Sequence, residues 1–261
     1  MSEEFGFETQ LHGTVLMVVL ARPEKMNALR ISDVDALRGL FERSATDPAV
    51  HCLLVTGQGR AFCAGRDAAD AIGGEDAGAL LRDSINPMVQ ALFDLPKPTI
   101  AAVNGHAMGV GLGLALACDI VLAGDAARFS SPFARLGSAL DTGGHHFLPR
   151  RMSIGRVFEM VYTGDAIGGA EAARAGLVDR VVPDAQLMAD AAALAERIAA
   201  GPQIAFQGQK ALLRSLGAAG LDTVLAAEAD LQGRLALTPD YAEGIAAFRA
   251  RRAPVFTSVG E

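Results

Sequence analysis

The stretch Arg135–Arg151, RLGSALDTGGHHFLPRR, holds one carboxylate, Asp141, between an apolar run and a glycine pair. A carboxylate so placed has two roles open to it. It can cap a helix beginning near Thr142 by accepting an orphan backbone N–H. It can instead stand over a substrate as a base, and an apolar surround would raise its pKa and suit it to that task. The residues by themselves leave both open. Two other stretches, LLVTGQGRAFCAGRDAADA and TIAAVNGHAMGVGLGLALA, share a strand, a glycine-containing turn and a helix start. A helix start leaves N–H groups unpaired at the positive end of the macrodipole. Two such starts facing each other would grip one carbonyl oxygen, or an oxyanion developing on it. Taken singly, each glycine cluster reads rather as tight turns and close packing. GVGLGLA is spaced G-x-G-x-G, with no acid ending a following strand at the right distance, so it does not read as a dinucleotide fingerprint.

The elements that must hold these groups follow from periodicity. TVLMVVLARP (Thr14–Pro23) reads as a buried strand ended by proline. Leu29, Val34, Leu37, Leu40 and Phe41 then recur at helical spacing before Pro48. VHCLLVTGQG is a second strand, TIAAVNG a later one, and a helix up to LFDLPKP lies between them. GVGLGLALACDIVLAGD reads as a helix feeding another strand. The alternation predicts an α/β layered domain containing parallel strands. After Pro183 the strand signals stop, and four amphipathic helices follow, beginning at AQLMADAA, IAFQGQKA, LDTVLAAE and PDYAEGIA. They are expected to pack on the core or on a neighbouring subunit. The Gly73–Gly78 stretch has little to bury and is the expected mobile segment.

Composition bounds the partners. The chain has 261 residues, 51% of them hydrophobic, which suffices for one well-packed core. A formal charge of −7 argues against nucleic acid, while leaving room for a local basic pocket. No apolar run reaches the roughly 18 residues of a membrane span, and the acidic start MSEEFGFETQ does not read as a secretory signal. Three cysteines, Cys52, Cys63 and Cys118, lie in or beside apolar runs without metal-ligand spacing, so they read as reduced structural thiols. The expectation is a cytoplasmic protein with no metal site, no membrane partner and no nucleic-acid partner.

RPEKMNAL, GRAFCAGRDAADA, LPKPTIAAVNGHAMGVGLGLALACDIVLAGDAARFSSP, LGSALDTGGHHFLPR and YTGDAIGGAEAARAGLVDRVV occur in order over almost the whole chain, ending in YAEGIAAFRARRAPVF. In these motifs the chain resembles the enoyl-CoA hydratase/isomerase (crotonase) superfamily. The resemblance implies a crotonase-like spiral of ββα units followed by a C-terminal helical trimerisation region, here divided as residues 1–195 and 196–261. It implies homotrimers or hexamers, an acyl-CoA thioester substrate, and no cofactor beyond the coenzyme A that the substrate carries. It places the oxyanion hole on the backbone N–H groups of Arg66, in the A-G-x-D motif, and of Val110, after the first glycine of G-x-G. Substrate and CoA contacts are implied for Lys25, Met26, Ala64, Arg66, Asp67, Gly109, Phe133 and Arg251, the last from the same subunit or a neighbouring one. Asp67 belongs to the motif but reads more readily as a residue that fixes its loop by hydrogen bonds.

The resemblance also shows what is missing. Hydratases of the family hold a water between two glutamates, and their positions are taken here by Gly113 and Phe133. Neither can position or deprotonate water, and Phe133 adds an apolar wall. General acid–base assistance is worth about 10²–10⁴-fold per group, so efficient two-glutamate hydration is not expected. Asp141 is the carboxylate left where isomerase branches of the superfamily put an acid. LGSALDTGGHHFLPR is especially similar to the branch that isomerises ring-epoxidised phenylacetyl-CoA and shifts enoyl-CoA double bonds. One carboxylate suits a double-bond shift, because it takes a proton at one carbon and returns it at another. The expected activity is therefore an acyl-CoA isomerase with Asp141 as proton carrier. The alternatives are hydration with Asp141 as the sole acid/base, a dehalogenase-like relative (disfavoured by the lack of Trp), and a non-catalytic acyl-CoA-binding paralogue. His145 and His146 are placed either to line the acyl pocket or as a partly exposed helix pair. His106 sits in a strand-to-helix turn, against ligand or as filling.

Overall fold

The computed structural model describes residues 5–67, 69, 76–215 and 221–258. Among the described residues ten strands form two sheets. The larger runs β1 (Phe7–His12), β2 (Val15–Leu20), β3 (Cys52–Gly57), β5 (Thr99–Val103), β7 (Ile120–Gly124) and β10 (Arg180–Val182). The smaller runs β4 (Ala61–Cys63), β6 (His106–Met108), β8 (Arg128–Ser130) and β9 (Ile167–Gly168). The pairs β1/β2 and β8/β9, at one edge of each sheet, are antiparallel, and every other pair is parallel. The helices are α1 (Ile31–Thr46), α2 (Ala77–Leu80), α3 (Asn86–Phe93), α4 (Val110–Ala117), α5 (Gly144–Arg151), α6 (Ile154–Thr163), α7 (Gly169–Ala175), α8 (Leu187–Ala199), α9 (Gln203–Ser215), α10 (Leu221–Leu235) and α11 (Pro239–Ala250).

The connectivity is a repeating ββα. Each turn lays one strand in the large sheet and the next in the small one, then returns through helix: β3–β4 into α2 and α3, β5–β6 into α4, β7–β8 into α5. This is the spiral expected from the motifs. A strand's side chains alternate between faces, and the large sheet uses both faces. Leu53, Val55, Ala101, Val103, Val121 and Ala123 point into the main core, shared with α1, α3, α4 and the small sheet. Val15, Cys52, Leu54, Ile100, Ala102 and Leu122 point the other way, against Leu187, Ala191, Leu194 and Ala195 of α8. Those four α8 residues recur at one-face helical spacing, which is why α8 covers the sheet.

The four C-terminal helices form where the periodicity puts them, as α8 to α11. Asp119, at the entry to β7, anchors α9 by accepting Lys210 Nζ at 2.8 Å and Arg214 Nη2 at 2.5 Å, and it also caps Thr99 N–H at 2.8 Å. Half of the expected mobile segment at Gly73–Gly78, residues 73–75, lies outside the described residues. Among the described residues no helix is long and apolar enough to cross a membrane.

Candidate active site

The small sheet explains why distant motifs meet. β4, β6 and β8 are adjacent parallel strands, so the turns leaving their carboxyl ends emerge side by side: Ala64–Asp67, Gly109–Val110 and Pro132–Phe133. The carboxyl ends of parallel strands are where α/β folds bind ligands. A Cβ placed on Gly65 would lie 3.1 Å from Met108 O and 3.8 Å from Val110 N, so the first two turns touch. Gly65 (φ 107°) and Gly109 (φ 51°, ψ −119°) adopt backbone that a side chain disfavours, and this lets the turns approach. The Phe133 ring comes in from the third turn, its Cζ 3.4 Å from where a Gly109 Cβ would stand.

Each backbone donor has a local reason for its direction. Arg66 pairs with Leu29 in a parallel bridge made by Leu29 N–H to Gly65 O at 2.9 Å and Asp67 N–H to Leu29 O at 2.8 Å. That pattern uses the groups flanking Arg66 and turns its own N–H to the opposite side. Val110 is the first residue of α4, with Gly109 as N-cap, so its N–H has no acceptor within the helix. The two N–H groups belong to adjoining turns at the positive end of α4, an arrangement able to hold an oxyanion.

The segment carrying Asp141 passes one helical turn further along α4, where the next residue meets Gly113. Its neighbour Thr142 is 2% exposed and left-handed (φ 53°), and packs on Gly113. A Cβ on Gly113 would meet Thr142 Cγ2 and O, both at 2.4 Å. The space that a side chain at 113 would need is thus already filled. Thr142 Oγ1 donates to Asp141 Oδ1 at 2.6 Å. Asp141 does not cap a helix: α5 starts at Gly144 with Gly143 as its N-cap, and no side chain caps that end. Gly144 N–H instead donates to the Asp141 main-chain carbonyl at 2.8 Å. Burial raises the Asp141 carboxyl above its ordinary value of 3.8, and the Thr142 hydroxyl partly offsets that.

The remaining expected residues divide. Lys25, exposed on a 3₁₀ turn, leads into Met26, whose carbonyl accepts Ala64 N–H at 3.0 Å. Lys25, Met26, Ala64 and Arg66 are therefore brought together beside the first turn. Asp67 is buried and accepts Ala69 N–H at 3.0 Å and Arg22 Nη2 at 2.8 Å, which hold its carboxyl below the usual range. Its carboxylate fixes the loop. Arg251 is the exposed C-cap of α11, and among the described residues no hydrogen bond or ion pair links it to these turns.

His145 and His146 are exposed in the first turn of α5. His146 packs edge-on against Phe93 and Phe147, and burial followed by Arg150 and Arg214 pulls its pKa down. It lines a cavity of about 830 Å³ between α3, α5 and α9, which shares no lining residue with the three turns or Asp141. His106 is half-buried in β6, and among the described residues its Nδ1 has no hydrogen-bond partner. Cys52, Cys63 and Cys118 are buried, and burial pushes each thiol up to about 12, which removes them as nucleophiles. The residue that sequence reasoning passed over is Thr142. Its neighbour Asp141 drew attention, but a left-handed threonine wedged on a helix glycine leaves no pattern in the sequence.

The Enoyl-CoA hydratase/isomerase family profile matches residues 10–259. The chain is 39% identical over 242 residues to a probable enoyl-CoA hydratase of Rhodobacter capsulatus, covering 92% of this chain and 93% of that one. It is 37% identical over 248 residues to the 1,2-epoxyphenylacetyl-CoA isomerase of Escherichia coli, covering 93% and 95%. Among solved structures, a putative enoyl-CoA hydratase/isomerase from Mycobacterium abscessus superposes with TM-score 0.91 at 35% identity, covering 97% of this chain and 99% of that one. The α/β spiral, the three adjoining turns and these matches together show that the chain belongs to the enoyl-CoA hydratase/isomerase family, with the crotonase fold.

Proposed function

We propose that this chain is an acyl-CoA isomerase that moves a double bond in an enoyl thioester, or opens a ring epoxide through the same kind of enolate, with Asp141 as the proton carrier. The thioester carbonyl oxygen sits between the N–H groups of Arg66 and Val110. Asp141 takes a proton from C2 of a 3-enoyl thioester, and the C–H electron pair moves into a dienolate whose charge rests on that oxygen. The same carboxyl returns the proton to C4, so the C3=C4 bond becomes C2=C3 and no atom is gained or lost. Losing one oxyanion donor of this kind costs roughly 2.7–4 kcal/mol of transition-state stabilisation. Coenzyme A enters as part of the substrate, and the reaction calls for no other cofactor. Lys25, Met26, Ala64 and Arg66 hold its nucleotide end, while Gly109 and Phe133 wall the acyl end.

The observation that carries this reading is the occupancy of the space at Gly113. Thr142 fills the volume that a glutamate at 113 would use, and Asp141 stands beside it with a raised pKa. A glutamate merely lost would leave a void, so the packing argues for a different chemistry rather than decay. The second reading, hydration with Asp141 as the sole acid/base, draws support from the hydratase name of the Rhodobacter relative.

Residues 196–261 are proposed as the oligomerisation region of a homotrimer or hexamer. Leu213 in α9 (79% exposed), Leu237 between α10 and α11 (87%) and Phe248 in α11 (83%) are large apolar side chains that a neighbour would cover, bringing Arg251 to its CoA. The test of function uses the wild-type protein with a 3-enoyl-CoA and a trans-2-enoyl-CoA. Formation of the conjugated thioester from the first supports isomerisation. Loss of conjugation from the second, with a 3-hydroxyacyl product, supports hydration instead.

A further inference from the structure

Asp141 is held by one side chain. Among the described residues, the hydrogen bond from Thr142 Oγ1 to Oδ1 is the one that its carboxylate accepts. Thr142 is itself immobilised: it is 2% exposed, its methyl and carbonyl abut Gly113, and its left-handed backbone is one a β-branched residue rarely adopts. Strain of this kind persists where the surroundings over-determine it, and it gathers at functional sites. Among the described residues no charged side chain is found to shift Asp141. α4 carries no titratable side chain, His145 at the start of α5 is exposed, and Arg135 on the preceding 3₁₀ turn is engaged by Asp165 at 2.6 Å. Among the described residues the Thr142 hydroxyl is thus the group that opposes burial at Asp141.

We propose that Thr142 is a positioning residue for the proton-transfer step: its hydroxyl engages Oδ1 and leaves Oδ2 to carry the substrate proton, and its wedge against Gly113 fixes where that oxygen stands. This rests on the isomerase reading for its catalytic meaning, but the hydrogen bond and its effect on Asp141 are measurable without turnover. The donor stabilises the carboxylate over the acid, so its removal raises the Asp141 pKa, by about one pH unit for a charge-assisted bond.

The test compares the full-length wild type with Thr142→Val and Thr142→Ser. Valine keeps the β-branched shape and loses the donor, whereas serine keeps the donor and loses the methyl. The first readout is the titration of the Asp141 carboxyl by carbon NMR of aspartate-labelled protein, assigned by difference from Asp141→Asn. The second is the pH dependence of kcat/KM with a 3-enoyl-CoA. Thr142→Val is expected to raise the carboxyl titration and the acidic limb of the rate profile together by about one pH unit. It is also expected to lower kcat about ten-fold or more at pH 6 with KM little changed. Thr142→Ser is expected to return both limbs toward wild type. Thermal melts show whether each variant is folded. An unmoved carboxyl titration in folded Thr142→Val overturns the proposal. A titration shifted in Thr142→Val, beside a wild-type protein that does not turn over a 3-enoyl-CoA, removes the double-bond-shift reading while leaving the Thr142 hydrogen bond established.

Discussion

Replacing Gly113 with alanine separates two opposed effects whose sign the structure decides. Gly113 lies inside α4, where a glycine-to-alanine change ordinarily stabilises by roughly 0.5–1 kcal/mol. Here the new Cβ would stand 2.4 Å from both Thr142 Cγ2 and Thr142 O, and 2.7 Å from Thr142 Cβ. Non-bonded carbons settle at about 3.5–4.0 Å, so the 141–143 segment must retreat by about 1 Å. Part of the obstacle is backbone, which cannot swing aside. Overpacking of this kind typically costs about 1–3 kcal/mol, which exceeds the helix gain. The net destabilisation is about 1–2 kcal/mol, or about 2–6 °C in Tm for a chain of this size. Moving Asp141 by about 1 Å is also expected to lower kcat by roughly 10²-fold. Gly155 in α6 is the control, since an added Cβ meets nothing within 4 Å there, and Gly155→Ala is expected to stabilise. The assay is a thermal melt of the three proteins at one pH, with turnover measured alongside. A Gly113→Ala protein as stable and as active as wild type would refute the packing described for Thr142.

Burial raises the folded-state pKa of Asp141 above 3.8, so folding favours its protonated form. That contribution is present below the unfolded value and lost as pH rises through the folded one. Asp141→Asn is therefore expected to be more stable than wild type at pH 7, with the gap closing toward pH 4; a gap that widens on acidification contradicts the shift. Asp119→Ala strands Lys210 and Arg214 at the base of α9, and a loss of roughly 3 kcal/mol is expected in denaturant titration. A loss below about 0.5 kcal/mol would mean that α9 is held by something else. Iodoacetamide is expected to leave the native protein unmodified and active, because all three thiols are buried and held near 12. Rapid modification at Cys63 would contradict the burial of β4.

The long elements were legible because their burial is periodic. β2, β3, β5 and β7 lie in the runs of apolar residues that announce them, and α8 to α11 follow the amphipathic patterns after Pro183. The small sheet was not legible from periodicity. β4, β6 and β8 have three residues each and β9 has two, too short to count an alternation. β1 was missed as well: five of its six residues are exposed, so its sequence carries little hydrophobic signal. At the site, the glycine turns suggested paired N–H donors, but their adjacency depends on that same small sheet. Asp141 was visible as a carboxylate with two roles open. The helix-cap role failed on local geometry, because a left-handed Thr142 and Gly143 put the helix start at Gly144. Gly113 read simply as the absence of a glutamate, and only the packing of Thr142 shows that its side-chain space is taken.

The measurement that bears most directly on Asp141 is turnover of a 3-enoyl-CoA by wild type and Asp141→Asn, followed by the absorbance of the conjugated thioester. Wild type is expected to generate the conjugated product, and the variant to be slower by about 10²–10⁴-fold while still binding the CoA thioester. Equal rates in the two proteins would contradict Asp141 as the proton carrier, however well the variant folds.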